Sequence, residues 1–453
     1  MSPLWTGAEV AAATGGILEG DFAALGVAFD SREILAGDLF VALRGTRTDG
    51  HRFVADARAR GAAGVLAEAP VEGPHVRVAD SMAGLVALGA AARARTGGTV
   101  IGVTGSVGKT GVKEALRRAF QRVAPDATHW SVKNYNNHTG VPLSLARMPA
   151  GTRFGVFEMG MNHAGEIRAL TAMVRPHVAL ITWVAAVHIE NFADETGIAE
   201  AKAEIFEGLA AGGTAILPAD NPHAALLRAR ARAHAAQILA FGDGPDADVR
   251  LLAADGDADG TDIVADVVGE RVACRVGMPG RHWVSNALAV LAGVAAAGGD
   301  LAEAGLALAG LTGLEGRGAR ITLSLAGGKA VLLDESYNAN PASMAAALAV
   351  LGQVPAQRRL AILGAMKELG IHAPAMHAGL AGPIAAAGIA ELALVGAEME
   401  TLRVDGATYL ADWEQALAWA RATLRPGDVL LVKGSNSVGL GRVVEALAGG
   451  VAP

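Results

Sequence analysis

Short apolar segments alternate with helical ones along the chain, and this alternation restricts the possible folds more than any single residue does. Strand-like segments occur at "DLFVAL" and "AGVLAE", then at "TVIGVTG", "RFGVFEMG", "VALITWV" and "GTAILPA", and finally at "AVLLDES", "RLAILGAM", "ELALVGA" and "DVLLVKGS". Buried strands separated by helical segments are typical of parallel sheets with crossover helices. We therefore predict an α/β fold.

The chain has 453 residues, and a single hydrophobic core rarely organises more than about 250–300 residues. Changes in the alternation indicate three domains. A small N-terminal α/β domain is predicted at 1–96, a central parallel sheet of the P-loop ATPase type at 97–312, and a C-terminal Rossmann-like α/β domain at 313–453.

Composition excludes several classes of protein. The hydrophobic fraction of 52% comes largely from alanine, and no apolar run is long enough to cross a membrane. A net charge of −7 with scattered basic residues argues against nucleic-acid binding. The single cysteine, Cys274, excludes an internal disulfide and fits a reducing compartment. We expect a cytoplasmic monomer without membrane insertion or a nucleic-acid partner.

Polar residues directly follow the apolar runs. Gly105, Glu158, His188, Asp334 and Lys433 each come just after a predicted strand. Ligands of open α/β sheets bind beyond the carboxyl ends of the strands. The positions of these residues therefore predict a ligand site along one edge of each larger sheet.

The segment "IGVTGSVGKTGVKEAL" joins a strand to a helix through a glycine-bounded turn. It is shorter than the usual phosphate loop, whose first glycine lies five residues before the second. Small residues expose backbone N–H groups to phosphate oxygens, and Lys109 and Thr110 add an ammonium group and a metal-facing hydroxyl. We predict a phosphate-binding loop; the alternative is a tight glycine turn between a strand and a helix.

Two further strand ends suggest a metal site. Glu158, in "FEMGMNHAGEI", offers a carboxylate to a hard cation such as Mg²⁺, and His188 lies similarly in "WVAAVHIENF". Taken singly, Glu158 also suits a helix cap, and His188 suits a structural histidine. Lys202, in a helix with several glutamates, reads as an ordinary surface residue.

The remaining candidates each have a simpler alternative. Asn136 and Asn137 suit either a turn or a recognition loop. Arg317, between two glycines at a predicted domain junction, suits a phosphate contact or a solvated linker. Asp334 suits a ribose hydroxyl or a turn and cap, and Lys433 suits an anionic ligand or solvent.

Taken in order, these motifs resemble a known family. "TGSVGKT", "NNHTGVP", "FEMGMNHAGEI", "HIENF", "AKAEIF", "DESYNANP" and "KGS" follow the order and approximate spacing of the Mur ligases, the amide ligases of peptidoglycan synthesis. The chain is most similar to the branch that adds D-alanyl-D-alanine to a UDP-N-acetylmuramoyl tripeptide. The segment "DSREILAGDLFVALRGTRTDGHRF" also resembles the part of that branch that holds the UDP-sugar substrate.

The resemblance implies roles for individual residues. It implies catalytic roles for Lys109, Glu158, His188 and Lys202, and ATP contacts for Thr104, Gly105, Ser106, Val107, Gly108, Lys109, Thr110, Asn286, Arg317, Asp334 and Asn338. Substrate contacts are implied for Ser31, Arg32, Asp49, Gly50, His51, Asn136, Asn137 and Lys433. Two Mg²⁺ ions are implied, held by Thr110, Glu158, His188 and a carbamylated Lys202.

The implied reaction transfers a phosphoryl group from ATP to the tripeptide carboxylate, and the amine of D-alanyl-D-alanine then attacks the acyl phosphate. Such chemistry needs positioning and charge neutralisation rather than a protein nucleophile. Alternatives are a related ligase that adds a different amino acid, and a non-enzymatic protein gated by a nucleotide. The sequence lacks the Asp-Asn-Pro-Arg tetrapeptide common in diamino-acid-adding relatives, which favours the dipeptide.

The sequence departs from the family pattern at several positions. Gly111 follows Thr110 where the family more often has Thr or Ser, and Trp283 stands where an asparagine often follows the histidine. Ala365 replaces a common aspartate, and the C-terminal "KGSNSVGLGRVVEAL" lacks the usual Met-Glu pair. All of these except Gly111 lie in, or lead toward, the part that would bind the amine or the adenine.

Overall fold

A computed structural model describes residues 2–45 and 48–449. Thr46 and Arg47, which belong to the segment resembling the UDP-sugar region, lie outside the described residues. The described chain forms a three-domain α/β structure, and each domain is built around its own larger sheet. Both predicted domain junctions, 96/97 and 312/313, fall in connections between these sheets.

The N-terminal part contains a sheet with strand order β2-β7-β6-β5-β4 and a small separate β1-β3 pair. Its strands are β1 (Trp5–Thr6), β2 (Ile17–Glu19), β3 (Ala23–Ala24), β4 (Gly26–Ala28), β5 (Asp38–Val41), β6 (Gly64–Ala67) and β7 (His75–Arg77). The helices are α1 (Gly7–Thr14), α2 (Val54–Ala59) and α3 (Ser81–Arg95). Strands β4 to β7 are parallel, and β2 is an antiparallel edge.

The central sheet has strand order β16-β15-β14-β13-β12-β11-β8-β10-β9. Its strands are β8 (Thr99–Thr104), β9 (Thr128–Trp130), β10 (Phe154–Glu158), β11 (Val178–Ile181), β12 (Thr214–Pro218), β13 (Gln237–Gly242), β14 (Val249–Gly256), β15 (Thr261–Val267) and β16 (Glu270–Val276). The helices are α4 (Lys109–Val123), α5 (Gly140–Ala146), α6 (Glu166–Val174), α7 (Glu195–Ala203), α8 (Ala224–Ala231), α9 (Arg281–Ala296) and α10 (Leu301–Ala309). The predicted strands at 99–104, 154–158, 178–181 and 214–218 are confirmed.

The prediction of a parallel central sheet needs one correction. Strands β14, β15 and β16 extend its edge as an antiparallel meander. In β15, buried positions alternate with more exposed ones that include Asp262 and Asp266, which is the pattern of a sheet with one solvated face. The buried parallel strands are almost wholly apolar and therefore gave the clearer sequence signal.

The C-terminal sheet has strand order β17-β18-β22-β19-β20-β21, with only β17 antiparallel to its neighbour. Its strands are β17 (Ala319–Leu325), β18 (Gly328–Glu335), β19 (Arg358–Gly364), β20 (Glu391–Val395), β21 (Thr408–Leu410) and β22 (Asp428–Lys433). The helices are α11 (Pro341–Gln353), α12 (Ala373–Ala378), α13 (Ala381–Ala386), α14 (Trp413–Thr423) and α15 (Gly441–Ala448). The four strands predicted here from sequence are confirmed.

Specific polar contacts fix the N-terminal domain to the central one. The Arg93 guanidinium, at the end of α3, donates hydrogen bonds to the carbonyl oxygens of Val174 and Arg175, each at 2.8 Å. Glu33 accepts a hydrogen bond from the Tyr135 hydroxyl at 2.8 Å and pairs with Lys133. The turn at 31–33 therefore touches the loop that follows β9 in the central domain.

Candidate active site

The loop between β8 and α4 is shaped by its two glycines. Gly105 has φ +151°, and a Cβ there would lie 2.0 Å from Thr182 Oγ1. Gly108 has φ +86°, and a Cβ there would lie 2.5 Å from Asn286 Oδ1. Any side chain at either position would therefore collide with a neighbour. This explains why the compact loop uses glycine at both ends.

Helix α4 begins at Lys109 without a side-chain cap, so its first N–H groups are available to an anion. The Lys109 ammonium folds back and donates a hydrogen bond to the Gly105 carbonyl oxygen at 2.7 Å. Burial lowers the pKa of Lys109, while the nearby Glu158 carboxylate opposes this shift. A phosphate group at the loop would supply the negative charge that this lysine partly lacks.

Glu158 is 2% exposed at the end of β10 and is held from several sides. Its carboxylate accepts hydrogen bonds from Thr110 Oγ1 at 3.0 Å and from Asn136 Nδ2 at 2.9 Å. Its backbone N–H donates to Ser131 Oγ at 2.9 Å. The Lys113 ammonium, also buried, lies 4.0 Å from the carboxylate. Glu158 is thus a positioned carboxylate directly beside the phosphate loop, not a solvated charge.

His188 and Lys202 lie beyond the loop, close enough to it for their charges to act on one another and on Lys109. Lys202 is 3% exposed, so the surface-helix interpretation is wrong. Burial lowers the pKa of Lys202 well below its usual value, and the charge of Lys109 adds to the shift. Burial also lowers the pKa of His188, whose ring contacts the Glu368 carboxylate of the C-terminal domain.

The C-terminal domain forms the opposite side of the site. The Arg317 guanidinium lies over the Tyr337 ring, with Cζ 4.2 Å from the ring centroid. Lys433 is buried at the end of β22, where its ammonium donates to the Asn338 carbonyl oxygen at 2.9 Å and lies 3.5 Å from Glu335. Burial raises the pKa of Glu335, and the nearby Lys433 opposes that shift.

These groups surround one cavity of about 1020 Å³ between the central and C-terminal domains. Of the predicted site residues, its lining includes Gly105, Ser106, Val107, Gly108, Lys109, Thr110, Asn136, Asn137, Glu158, His188, Lys202, Asn286, Arg317, Asn338 and Lys433. A cavity of this size suits a small-molecule ligand, and its polar groups come from strand ends, helices and loops of both domains. The arrangement can bind a phosphorylated ligand and hold a second, anionic group beside it.

Family models cover most of the chain. The Mur ligase family catalytic domain matches residues 25–114, the Mur ligase middle domain 103–294, and the Mur ligase glutamate ligase domain 319–436. A UDP-N-acetylmuramoyl-tripeptide–D-alanyl-D-alanine ligase from Synechocystis is 36% identical over 430 residues, which cover 92% of this chain and 90% of the relative. The chain belongs to the Mur ligase family.

Other relatives agree with this assignment. The enzyme of the same name from Escherichia coli is 34% identical over 93% of each chain. Among solved structures, MurF from Acinetobacter baumannii superimposes with a TM-score of 0.86 at 30% identity, over 98% of this Mur ligase and 99% of that chain. MurF from Thermotoga maritima, solved in complex with ADP, gives a TM-score of 0.78 at 27% identity over 94% and 97% of the two chains.

The predicted UDP-sugar residues of this Mur ligase lie in the N-terminal domain, outside the lining of the cavity. Ser31 is buried, and the Arg32 side chain is exposed and paired with Asp30. Asp49 accepts a hydrogen bond from the backbone N–H of His51 at 3.0 Å, while His51 Nε2 accepts one from the backbone N–H of Glu68 at 2.9 Å. These contacts hold two short helical turns in place.

Gly50 belongs to the second of these turns, and a Cβ there would lie 2.6 Å from the Leu43 carbonyl oxygen. The turn therefore packs so closely on the backbone that follows β5 that a side chain has no room. The first turn, which carries Arg32, touches the 133–135 loop through Glu33, and Asn136 follows directly in that loop. A continuous chain of contacts thus links the predicted UDP-sugar region to Glu158.

Three of the predicted site residues make hydrogen bonds within the protein. Thr104 is fully buried, and its hydroxyl donates to the Met159 carbonyl oxygen at 2.7 Å, outside the cavity lining. Asp334 also lies outside the lining, and its carboxylate accepts hydrogen bonds from the N–H groups of Gly316 and Ser336. This favours the turn-and-cap alternative for Asp334. Asn137 likewise caps its own turn by accepting from the Gly140 N–H at 2.9 Å.

Sequence reasoning missed several charged groups in or beside the site, among them Glu335 and Lys113. Glu335, rather than Asp334, lines the cavity because successive residues of a strand point to opposite faces. The signal was present in "LLDES", where the two acids are adjacent. Lys113, one helical turn after Thr110, was hidden because a lysine on a helix usually lies in solvent.

The donor set fits a Mg²⁺ ion bound together with a nucleotide. Thr110 and Glu158 present a hydroxyl and a carboxylate to the same point, joined at 3.0 Å. Among residues 2–45 and 48–449, no group of three or more His, Cys, Asp or Glu side chains forms a metal cage. Mg²⁺ at phosphate sites is usually held by one or two protein ligands, substrate phosphates and water, so a cage is not required.

Proposed function

We propose that this protein is an ATP-dependent amide ligase of peptidoglycan precursor synthesis. It joins D-alanyl-D-alanine to the terminal carboxylate of a UDP-N-acetylmuramoyl tripeptide, forming ADP and phosphate. The observation that carries the proposal is the single cavity in which a phosphate loop, a positioned carboxylate and a buried lysine meet the C-terminal domain. Relatives that carry the name of this activity match nearly the whole chain at 36% and 34% identity.

The residues of the cavity suit phosphoryl transfer between two anions. Lys109 and the N–H groups at the start of α4 hold the phosphates of ATP, and Arg317 approaches them from the C-terminal domain. A carboxylate oxygen of the tripeptide attacks the γ-phosphorus, and ADP leaves with the electrons of the broken P–O bond. Mg²⁺, held through Thr110 and Glu158, would neutralise charge between the phosphate oxygens.

The second half of the reaction forms the amide bond. The amine nitrogen of D-alanyl-D-alanine attacks the acyl carbon, and the tetrahedral intermediate expels phosphate and loses the proton of the amine. Closure of the cavity between two domains keeps water away from the acyl phosphate, which water would otherwise hydrolyse. The C-terminal domain, which forms one wall, is the proposed site of the dipeptide.

Lys202 is proposed to act as a carbamate. Its depressed pKa leaves a larger share of neutral amine, which is the form that attacks CO₂. The resulting carbamate carries a negative charge where the lysine ammonium carried a positive one. It lies in a region that already contains Lys109 and His188. Lys202 and His188 would then hold the second Mg²⁺.

The same reaction also leads us to propose a site for the UDP-sugar, an oligomeric state and a cellular location. The UDP-sugar is proposed to bind at the turns containing Ser31, Arg32, Asp49, Gly50 and His51, next to the loop that carries Asn136. No helix within the described parts of the chain has the length and apolar character of a membrane span. We propose a monomer acting in the cytoplasm, where UDP-linked precursors are made.

A direct assay tests the proposal. Purified protein receives ATP, Mg²⁺, the UDP-N-acetylmuramoyl tripeptide and D-alanyl-D-alanine, and the products are separated by chromatography. We expect ADP, phosphate and the pentapeptide in equal amounts, with Lys109→Met inactive and the exposed Lys329→Met as active as the wild type. Ligation of a different amine alone would reject the acceptor, and nucleotide binding without any product would favour the non-enzymatic alternative.

A further inference from the structure

Two unexplained departures from the family pattern meet in the structure. Gly111 lies in the first turn of α4, and Trp283 lies in the first turn of α9. A Cβ at Gly111 would lie 2.8 Å from Trp283 Cη2 and 3.3 Å from Cζ3. Carbon atoms normally stay about 3.5–4.0 Å apart. The distal edge of the indole therefore occupies the space that a side chain at position 111 would need.

This pair lies in the wall of the nucleotide cavity. Both residues line it, together with the whole loop from Gly105 to Thr110. One helical turn after Trp283, Asn286 approaches Gly108 in the same manner. The start of α9 thus runs along the start of α4, and Trp283 continues the wall next to the phosphate-binding groups. Its indole is half-buried and gives this part of the wall a large, flat apolar surface.

We propose that Trp283, seated on Gly111, is the surface on which the base of the bound nucleotide stacks. The inference rests on the proposed use of ATP. An asparagine at this position offers an amide that can read the edge of a base, whereas an indole contacts its face. Stacking on an aromatic side chain contributes about 1–3 kcal/mol per base and tolerates different bases, because every base has a π-face. The pair thus determines how the base is recognised in this chain.

The first test compares ligands with and without a base. Isothermal titration gives Kd for ADP and for inorganic tripolyphosphate with the wild type, Trp283→Leu and Trp283→Phe. We expect Trp283→Leu to raise Kd for ADP about 5- to 150-fold and to leave Kd for tripolyphosphate unchanged. Trp283→Phe should retain most of the ADP affinity. Equal loss for both ligands, or no loss for ADP, would overturn the inference. Trp419→Leu, at a partly buried indole of the C-terminal domain outside the cavity lining, serves as the matched control.

The second test asks whether the two residues act as a pair. Gly111→Ser is made in the wild type and in a Trp283→Asn background, and Kd for ADP is measured for all four proteins. Gly111→Ser should raise Kd for ADP at least fivefold when position 283 is tryptophan. The same change should alter Kd less than twofold in the Trp283→Asn background. The same effect in both backgrounds would contradict a shared role. If wild-type protein binds neither ADP nor tripolyphosphate, the proposed function itself fails, which is a different outcome.

Thermal unfolding of each variant separates packing from binding. Trp283 also touches the core of the central domain, so Trp283→Leu is expected to lower the melting temperature somewhat. A purely structural role would move the melting temperature and leave the ratio of the ADP and tripolyphosphate Kd values unchanged. Our inference requires that ratio to change, and the conservative Trp283→Phe variant to restore it even if the melting temperature stays low.

Discussion

At the scale of the residue, Lys202 shows how far burial can change the chemistry of a side chain. Within residues 2–45 and 48–449, the structure gives its ammonium no ion pair or hydrogen bond. Burial and the charge of Lys109 both lower its pKa, so the neutral amine is more accessible than in an exposed lysine. The charge of Lys109 also favours a negatively charged product at this position, because opposite charges attract.

We predict that Lys202 forms a carbamate. Wild-type protein in ¹³C-bicarbonate should show a carbamate carbon signal that Lys202→Ala lacks, and the exposed Lys329→Ala should retain it. Lys202→Ala should lose at least about 100-fold in ligation rate, since a missing charged group at such a site costs about 3 kcal/mol. Short carboxylic acids should partly restore it. Undiminished ligation by Lys202→Ala would return this lysine to a structural role.

The partly buried His129 predicts a pH dependence of stability. Burial lowers the pKa of His129 from 6.5 to about 4, and its Nε2 lies 2.7 Å from the Ser144 carbonyl oxygen. Between these two pH values the unfolded chain binds the proton and the folded chain does not. Stability is therefore complete above about pH 6.5 and falls as the pH drops toward 4.

We expect this loss to reach about 3 kcal/mol for His129. Urea unfolding of the wild type and His129→Gln is measured at pH 7, 5.5 and 4.5. Gln cannot titrate, so the free energy of unfolding of the variant should fall less steeply with decreasing pH, even if it is lower at pH 7. Parallel curves for the two proteins would show that His129 does not cause the loss.

At the scale of the element, the sequence analysis succeeded where a physical signal is local. Apolar runs predicted the buried strands, and the glycine spacing predicted the loop at 105–110. It failed where tertiary contacts determine whether a side chain is buried and which way it faces. Nothing in "AEAKAEIF" shows that Lys202 is buried, and nothing in "DES" alone tells which acid faces the cavity. The antiparallel meander was also missed, because its strands are partly solvated and less apolar.

The phosphate loop supplies the prediction at this scale. Gly108 has φ +86°, and a methyl group there would meet Asn286 Oδ1 at 2.5 Å. Gly108→Ala combines backbone strain of about 1–2 kcal/mol with this collision. We expect at least a tenfold weaker Kd for ADP by calorimetry. Gly151→Ala is the matched control, because a Cβ there meets no atom within 4 Å and should leave Kd unchanged.

At the scale of the whole molecule, the cavity depends on how the central and C-terminal domains meet. One contact between these two domains joins His188 to Glu368, whose carboxylate is half exposed. Beside it, a Cβ at Gly370 would lie 2.8 Å from Glu190 Cβ, so the two short helical turns pack closely. Exposed pairs of this kind contribute about 0–1 kcal/mol, whereas a ligand at about 100 times its Kd stabilises the state it binds by about 2.7 kcal/mol. Ligand binding can therefore override this contact easily.

We predict that Glu368→Ala loosens the domain arrangement without unfolding the protein. The free energy of unfolding should stay within about 1 kcal/mol of the wild type, while the radius of gyration from small-angle scattering increases for the protein without ligands. Glu398→Ala is the matched control, because Glu398 pairs with Lys367 inside the C-terminal domain and touches no other domain through that pair. Since the cavity wall needs both domains, ADP with the UDP-tripeptide should return the Glu368→Ala protein to the wild-type radius. An unchanged radius before ligands are added would mean that other contacts, not this pair, hold the two domains together.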